Sequence, residues 1–370
     1  MKSLGIVHTE SSLGWGGQEI RILTEAQGMI RRGHNVQVLC PPEARIYTEA
    51  SRFGVPVEAL AIGRKNFRGL AAMAGWLRAN TGERGPDVMN THSSTDSWLT
   101  ALAMAMQVKR TPIVRTRHIS AKVSHNRMTR WLYQRAAAKI VTTGEILRKQ
   151  LIDDLSVAPE KIVSVPTGID TTRFAPGDRH LARIRLGLPT NKTLVGIVAT
   201  LRSWKGHRYL IEACAALPPD TGLLIVGDGP QREALKALIK AHGMTERVWL
   251  PGNQVDVVPW LQALDVFALP SYANEGVPQA LVQAMLVALP CVTTSAGSIG
   301  ELARNGRTAL VVPAQDAQAL GEAIERLSAD AGLRNELGAA ARLHCLERYS
   351  LEKMLEAMEG IFQSAISECQ

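Results

Sequence analysis

A chain of 370 residues, 46% hydrophobic and 21% charged, exceeds one ordinary core and predicts a soluble globular protein of about two domains. Its five cysteines, Cys40, Cys214, Cys291, Cys345 and Cys369, are scattered and never paired as C-x-x-C. That pattern fits neither a disulfide framework nor a zinc site and points to a reducing cytoplasm. No apolar run approaches the roughly 18 residues of a membrane span, and the opening MKSLGIVHTE is too short an apolar run for a secretory leader. The net charge of +8 lies wholly in the first half, where residues 1–170 carry 23 Lys/Arg against 14 Asp/Glu.

In chain order, apolar Leu4-Gly5-Ile6-Val7 reads as a strand and Gly14-Trp15-Gly16-Gly17 as a loop. Ile20, Leu23, Met29 and Ile30 follow at helical spacing up to a stop at Gly33, and Val36, Val38 and Leu39 form the next strand. This is a βαβ unit with its glycine loop at the carboxyl end of the first strand. The alternation continues through strands at 86–92, 112–116 and 139–143. A polar stretch at 171–191, with Pro176 and Pro189, predicts a linker. A second series opens at Leu194-Val195-Gly196-Ile197-Val198 and runs through strands at 223–226, 248–250, 266–269, 291–293 and 310–312. The pattern predicts a second doubly wound parallel sheet over 192–345. Residues 346–370 read as a closing helix that packs either on this domain or back on the first, 1–170.

The segment PSYANEGVPQALVQAMLVALP, 270–290, carries the strongest chemical signal. A loop with Glu275 runs into a helix opened by Gly276, Val277 and Pro278, with Gln283 about two turns in. A helix start of this kind offers free N–H groups and a positive dipole end to a diphosphate, and Glu275 stands where a sugar hydroxyl would be met. Leu201-Arg202-Ser203-Trp204-Lys205-Gly206-His207 places Arg202 and Lys205 after the first strand of the second series, at the edge where open α/β sheets bind ligands. Solvated surface cations and an ordinary capped helix are the plain alternatives for these segments.

Taken together, Gly16-Gly17-Gln18-Glu19, Gly168-Ile169-Asp170 with Phe174, Lys205-Gly206, Val226-Gly227-Asp228-Gly229-Pro230, Asp265-Val266-Phe267 with Pro270-Ser271, and Glu275-Gly276 make nearly the whole chain resemble the retaining nucleotide-sugar glycosyltransferases of family four. The resemblance implies an α/β chain of GT-B fold, two facing Rossmann-like doubly wound domains with a cleft between them. It implies that Lys205 binds the donor phosphates, Glu275 the donor sugar and Gln283 the ribose, with Gly276 and Val277 at the helix start. Gly16 and Gly17 would bring bare backbone to the donor. His118, in Val114-Arg115-Thr116-Arg117-His118, would lie beside the reacting carbon, and His92 would face the acceptor. Two positions depart from the family pattern: Gln283 replaces the second acid of an E-x7-E element, and Thr200 stands where relatives carry an arginine, leaving Arg202 to reach the phosphates.

The activity implied is retaining, metal-independent transfer of a sugar from a UDP- or GDP-linked donor to a glycan or lipid-linked acceptor, in lipopolysaccharide, exopolysaccharide or other cell-surface glycan synthesis. No D-x-D element and no His/Cys/acid cluster of ligand spacing is present. A non-catalytic sugar-binding protein, an epimerase and a phosphorylase on the same fold are the rivals. A nicotinamide dehydrogenase is disfavoured, because the glycine loop is not G-x-G-x-x-G. Eleven basic residues and one acid, Glu145, lie between Lys109 and Lys149. With Phe67, Leu70, Ala74 and Leu77 on one helical face, and Met128, Trp131 and Leu132 on another, this basic tract suggests a peripheral contact with an anionic membrane from the cytoplasm. Core faces with basic edges explain the same pattern. Nucleic acid is not expected, as aromatic residues are few.

Overall fold

A computed structural model describes residues 3–82, 85–108, 110–118, 123–273 and 275–369. The chain forms two compact units, one of residues 1–168 with 352–370 and the other of residues 169–351.

The first unit is built on seven parallel strands: β1 Gly5–Thr9, β2 Asn35–Cys40, β3 Val57–Ala59, β4 Val88–Thr91, β5 Ile113–Arg117, β6 Lys139–Thr142 and β7 Ile162–Ser164. Their order is β3-β2-β1-β4-β5-β6-β7, and Ile6 pairs with Val36 on one side and Val88 on the other. The winding direction reverses between β1 and β4, which opens a crevice at their carboxyl ends. The first helix, Gly17–Arg31, starts in that crevice and ends before Gly33, whose φ of +89° suits glycine.

The second unit carries β8 Thr193–Val198, β9 Thr221–Val226, β10 Val248–Gly252, β11 Val266–Leu269, β12 Cys291–Thr293 and β13 Leu310–Val311, in the parallel order β10-β9-β8-β11-β12-β13. Every residue of β9, Thr-Gly-Leu-Leu-Ile-Val, is buried, as a sheet covered by helices on both faces requires. Its reversal falls between β8 and β11.

Residues 171–191 are not a free linker. They hold a helix, Arg179–Leu186, whose Arg179 and Arg183 clasp Asp265 at 2.7 and 2.6 Å, and Phe174 and Leu188 are buried in the second core. Proline and polar residues suggested a linker because this helix is short and its stabilising partner lies some eighty residues away. The last helix, Leu351–Ser367, returns to the first unit. Its Leu355 lies where a Cβ on Gly28 would stand, and Arg32 bonds Glu352 at 2.8 Å and Glu359 at 2.9 Å.

The proposed lipid-facing stripes also change. Ala74, Leu77 and Leu132 are core residues, and Trp131 stacks on Trp98 with ring centroids 6.2 Å apart. Phe67 and Met128 alone of those residues are strongly exposed, at 84% and 62%. Among the described residues no helix is long and apolar enough to cross a membrane.

Candidate functional site

In the second unit the carboxyl ends of β8, β9, β11 and β12 are knitted into one cradle. After β8 a short turn, Ser203–Lys205, leads to Gly206 at φ +78°, where a Cβ would overlap the carbonyl of Pro270. Glycine is therefore required for the turn to sit against the end of β11, and Tyr272 N–H donates to the Trp204 carbonyl at 2.9 Å. After β9, Leu201 N–H donates to the Asp228 carbonyl at 3.0 Å, joining the Gly-Asp-Gly-Pro turn to the β8 exit. Beyond β12, Ser298 N–H donates to the Glu275 carbonyl at 3.1 Å, and Gly297, at φ +54°, permits that approach.

These contacts bring Lys205 and Glu275 together: Nζ lies 2.7 Å from Oε1, with side-chain exposures of 20% and 5%. A carboxylate so buried needs its cation, and the cation keeps a face open to a further anion. The helix itself begins at Gln279 with Pro278 as its N-cap, one turn later than the sequence suggested, so Gly276 and Val277 belong to the approach loop. Both are buried there. Gln283 is half-buried on this helix, and its side-chain amide has no hydrogen-bond partner among the described residues. Arg202 is not drawn into the pair: it is exposed, with its guanidinium 5.7 Å from the Trp204 ring. Sequence reasoning missed the Thr294–Ser298 loop with the buried hydroxyl of Ser298, which, like that of Ser271, has no hydrogen-bond partner among the described residues. A small-residue, glycine-containing run directly after a strand was the available signal.

In the first unit the crevice between β1 and β4 is lined by a polar cluster. Asp96 opens the helix Ser94–Ala105 and fastens both strand ends, accepting from Thr9 Oγ1 at 2.8 Å, His92 N at 2.9 Å and Ser93 N at 2.9 Å. Glu10, just past β1, accepts from Ser12 N at 2.7 Å and Gln18 Nε2 at 2.5 Å, and also from the Ser93 hydroxyl. It thereby anchors both sides of the loop holding Gly16 and Gly17. Gly16 is the extended N-cap of the first helix, and the nearest atom to a Cβ placed there would be Glu19 Oε2 at 3.8 Å. Burial and then the neighbouring Asp96 push the Glu10 carboxyl up to about 8, while burial lifts Asp96 to about 6.

His92 and His118, both named from sequence, meet directly: His92 Nδ1 lies 2.9 Å from His118 Nε2. A third imidazole, His8 of β1, was not foreseen; its Nδ1 lies 2.9 Å from His92 Nε2. Burial first, and Arg21 second, hold His8 down at about 3. His92 and His118 also lie well below the ordinary range, again chiefly through burial.

Comparison with known proteins agrees with this architecture. Residues 15–173 match the model described as Glycosyltransferase Family 4, and residues 178–344 the one described as Glycosyl transferases group 1. The D-inositol 3-phosphate glycosyltransferase of Acidothermus cellulolyticus is 28% identical, with 95% of this chain and 86% of that protein covered. Its namesake from Mycobacterium sp. strain KMS is 30% identical over 81% of this chain and 75% of its own. Among solved structures, Anabaena HepE in complex with UDP-glucose superposes with a TM-score of 0.86 at 22% identity, covering 98% and 100% of the two chains. The chain belongs to glycosyltransferase family four and is a glycosyltransferase of GT-B fold.

Proposed function

We propose that this glycosyltransferase moves a sugar, with retention of anomeric configuration, from a UDP- or GDP-linked donor to a glycan or lipid-linked acceptor in cell-surface glycan synthesis. The observation that carries the reading is the Lys205–Glu275 pair, 2.7 Å apart on the carboxyl edge of the six-stranded sheet just ahead of the helix Gln279–Leu286. The UDP-glucose in the Anabaena neighbour supports a donor of this kind. Lys205 binds the diphosphate with the help of the helix start, Glu275 turns to a hydroxyl of the sugar, and Gln283 meets the ribose. Arg202, exposed beside Trp204, is the second cation for the phosphates. Gly16 and Gly17 serve the donor, His118 the reacting carbon and His92 the acceptor, as the family resemblance implies.

In this mechanism the glycosidic bond to the diphosphate lengthens while Lys205 and the helix start stabilise charge on the leaving oxygen. That oxygen takes the proton of the attacking acceptor hydroxyl on the same face of the sugar. The charge stabilisation is supplied by protein groups, and activity is expected to persist in EDTA.

The test is a nucleotide-release assay across uridine, guanosine and adenosine diphosphate sugars, with a glycolipid extract in one arm and inositol phosphate in the other. The second arm follows from the names of the relatives, which act on a phosphorylated cyclitol. Acceptor-dependent release from one donor supports the reading; release from none sinks it. Exposed Phe67 and Met128, each flanked by exposed arginines, support peripheral contact with an anionic membrane from the cytoplasm. Co-sedimentation with anionic but not neutral vesicles, lost at high salt, is the expected result, and equal, negligible binding to both contradicts it.

A further inference from the structure

A continuous polar line runs from the interior of the first unit to the carboxyl edge of its sheet. It begins at Arg21, fully buried, with Nη1 donating to the Val165 carbonyl at 2.7 Å and Nε 3.6 Å from Glu25 Oε2. Asn90 is oriented by two contacts: its Nδ2 donates to Glu25 Oε1 at 3.2 Å, and its Oδ1 accepts from the Thr116 hydroxyl at 2.8 Å. A carboxylate accepts only, so the amide cannot be reversed without setting two oxygens against each other. The same Nδ2 stands 3.5 Å from His8 Nδ1. Beyond it the three rings follow at 2.9 Å and 2.9 Å, edge to edge, with successive centroid separations of 5.2 Å and interplanar angles of 19° and 29°.

The hydrogen positions follow from these donors and acceptors. With an Asn90 N–H directed at it, His8 Nδ1 carries its lone pair and accepts from His92 Nε2–H. His92 Nδ1 is then bare and accepts from His118 Nε2–H. The opposite polarity would turn His8 Nδ1–H to His92 Nε2 and leave the neighbouring Asn90 N–H facing a protonated nitrogen with no lone pair to meet it. In the favoured arrangement the His8 Nε2 proton has no polar partner among the described residues. Burial keeps all three rings neutral, which the arrangement requires.

We infer that Asn90 and His8, acting through His92, fix His118 as its Nε2–H tautomer, so that His118 Nδ1 is held as a hydrogen-bond acceptor for a hydroxyl of the bound substrate. Among the described residues Nδ1 of His118 has no other partner, whereas its Nε2 is committed to His92. His8 and Asn90 are positioning residues: they touch no substrate and act by deciding which proton His118 carries. The inference deepens the transferase reading and rests on it only for the word substrate.

The experiment is a long-range 1H–15N correlation spectrum of the full-length protein labelled at histidine, with His118 assigned by its loss in His118→Ala. The expected spectrum shows His118 protonated at Nε2 and bare at Nδ1. A wild-type His118 protonated at Nδ1, or at both nitrogens at neutral pH, overturns the inference without recourse to any variant. In His8→Phe, which removes the acceptor of the His92 proton, His118 should become a mixture of tautomers. The kcat of that variant should fall on the order of tenfold, the factor that a lost hydrogen bond of about 1.4 kcal/mol represents, with donor KM unchanged. His8→Gln, whose amide oxygen again accepts, should restore both. A His8→Phe protein with an unchanged His118 tautomer counts against the line as the cause. Absence of sugar transfer by a wild type showing the expected tautomer contradicts the proposed function and leaves the tautomer assignment standing.

Discussion

At the scale of single residues, the donor site turns on what an amide at position 283 can do. A carboxylate there would accept two ribose hydroxyls with charge-assisted bonds, whereas Gln283 accepts through one oxygen and leaves its NH2 over. Gln283→Glu is therefore expected to tighten donor binding roughly fivefold, about 1 kcal/mol, in isothermal titration. Unchanged affinity would show that Gln283 does not meet the ribose. His207 supports a second prediction, about pH. It is buried, and burial, then Lys205, hold it down at about 3. The folded protein thus refuses a proton that the unfolded chain accepts at about 6.5. The unfolded state binds more protons between those values, so stability falls as pH drops below 6.5, by up to about 1.4 kcal/mol per pH unit for this group. His207→Leu should flatten the acid limb of a plot of denaturation midpoint against pH, and an unaltered limb would contradict the burial argument.

Single residues were also where the sequence was most and least legible. Lys205 and Glu275 could be named because each sits next to a glycine in a loop following a strand, and the structure joins them. Arg202 was paired with Lys205 by its place at the sheet edge and as a substitute for the arginine absent at Thr200, yet the turn at Ser203–Lys205 leaves it over Trp204. His8 was invisible for a physical reason. It is one buried residue of a short strand that reads as apolar through Ile6 and Val7, and only the pairing of β1 with β4 brings it to His92.

At the scale of elements, the cradle depends on loops touching backbone to backbone. Gly206 is one of the tightest such points, combining positive φ with a Cβ position already filled by the Pro270 carbonyl. Gly206→Ala should cost about 2 kcal/mol or more in urea denaturation and should also weaken donor binding by displacing Lys205. A variant with normal stability and affinity would mean that the turn relaxes freely. Strands were readable at this scale because parallel strands buried on both faces are short continuous apolar runs. The helix Arg179–Leu186 was not. At eight residues it is too short for a clear period, and it is fixed by Asp265 rather than by its own pattern.

At the scale of the whole molecule, the first unit is discontinuous and needs the end of the chain. Met354, Leu355, Met358 and Phe362 of the last helix are buried, and Glu359 bonds Arg32 at 2.9 Å and lies 3.3 Å from His34. Truncation after Leu351 should therefore abolish cooperative unfolding of residues 1–168 while residues 169–351 keep theirs, as limited proteolysis and calorimetry would report. Two intact transitions in the truncated protein would contradict this. The amphipathic period of the last helix was legible but its partner was not, because a stripe of apolar residues does not say which core it joins.

The central claim is that Lys205 and the Glu275 loop form the site for a nucleotide diphosphate sugar. Isothermal titration of the wild type and Lys205→Ala against UDP- and GDP-linked sugars tests it most directly. The account predicts one-site binding of a donor by the wild type and a loss of at least about tenfold, some 1.4 kcal/mol, in the variant. Donor binding that is indifferent to Lys205, or no binding of any donor by the wild type, would contradict it.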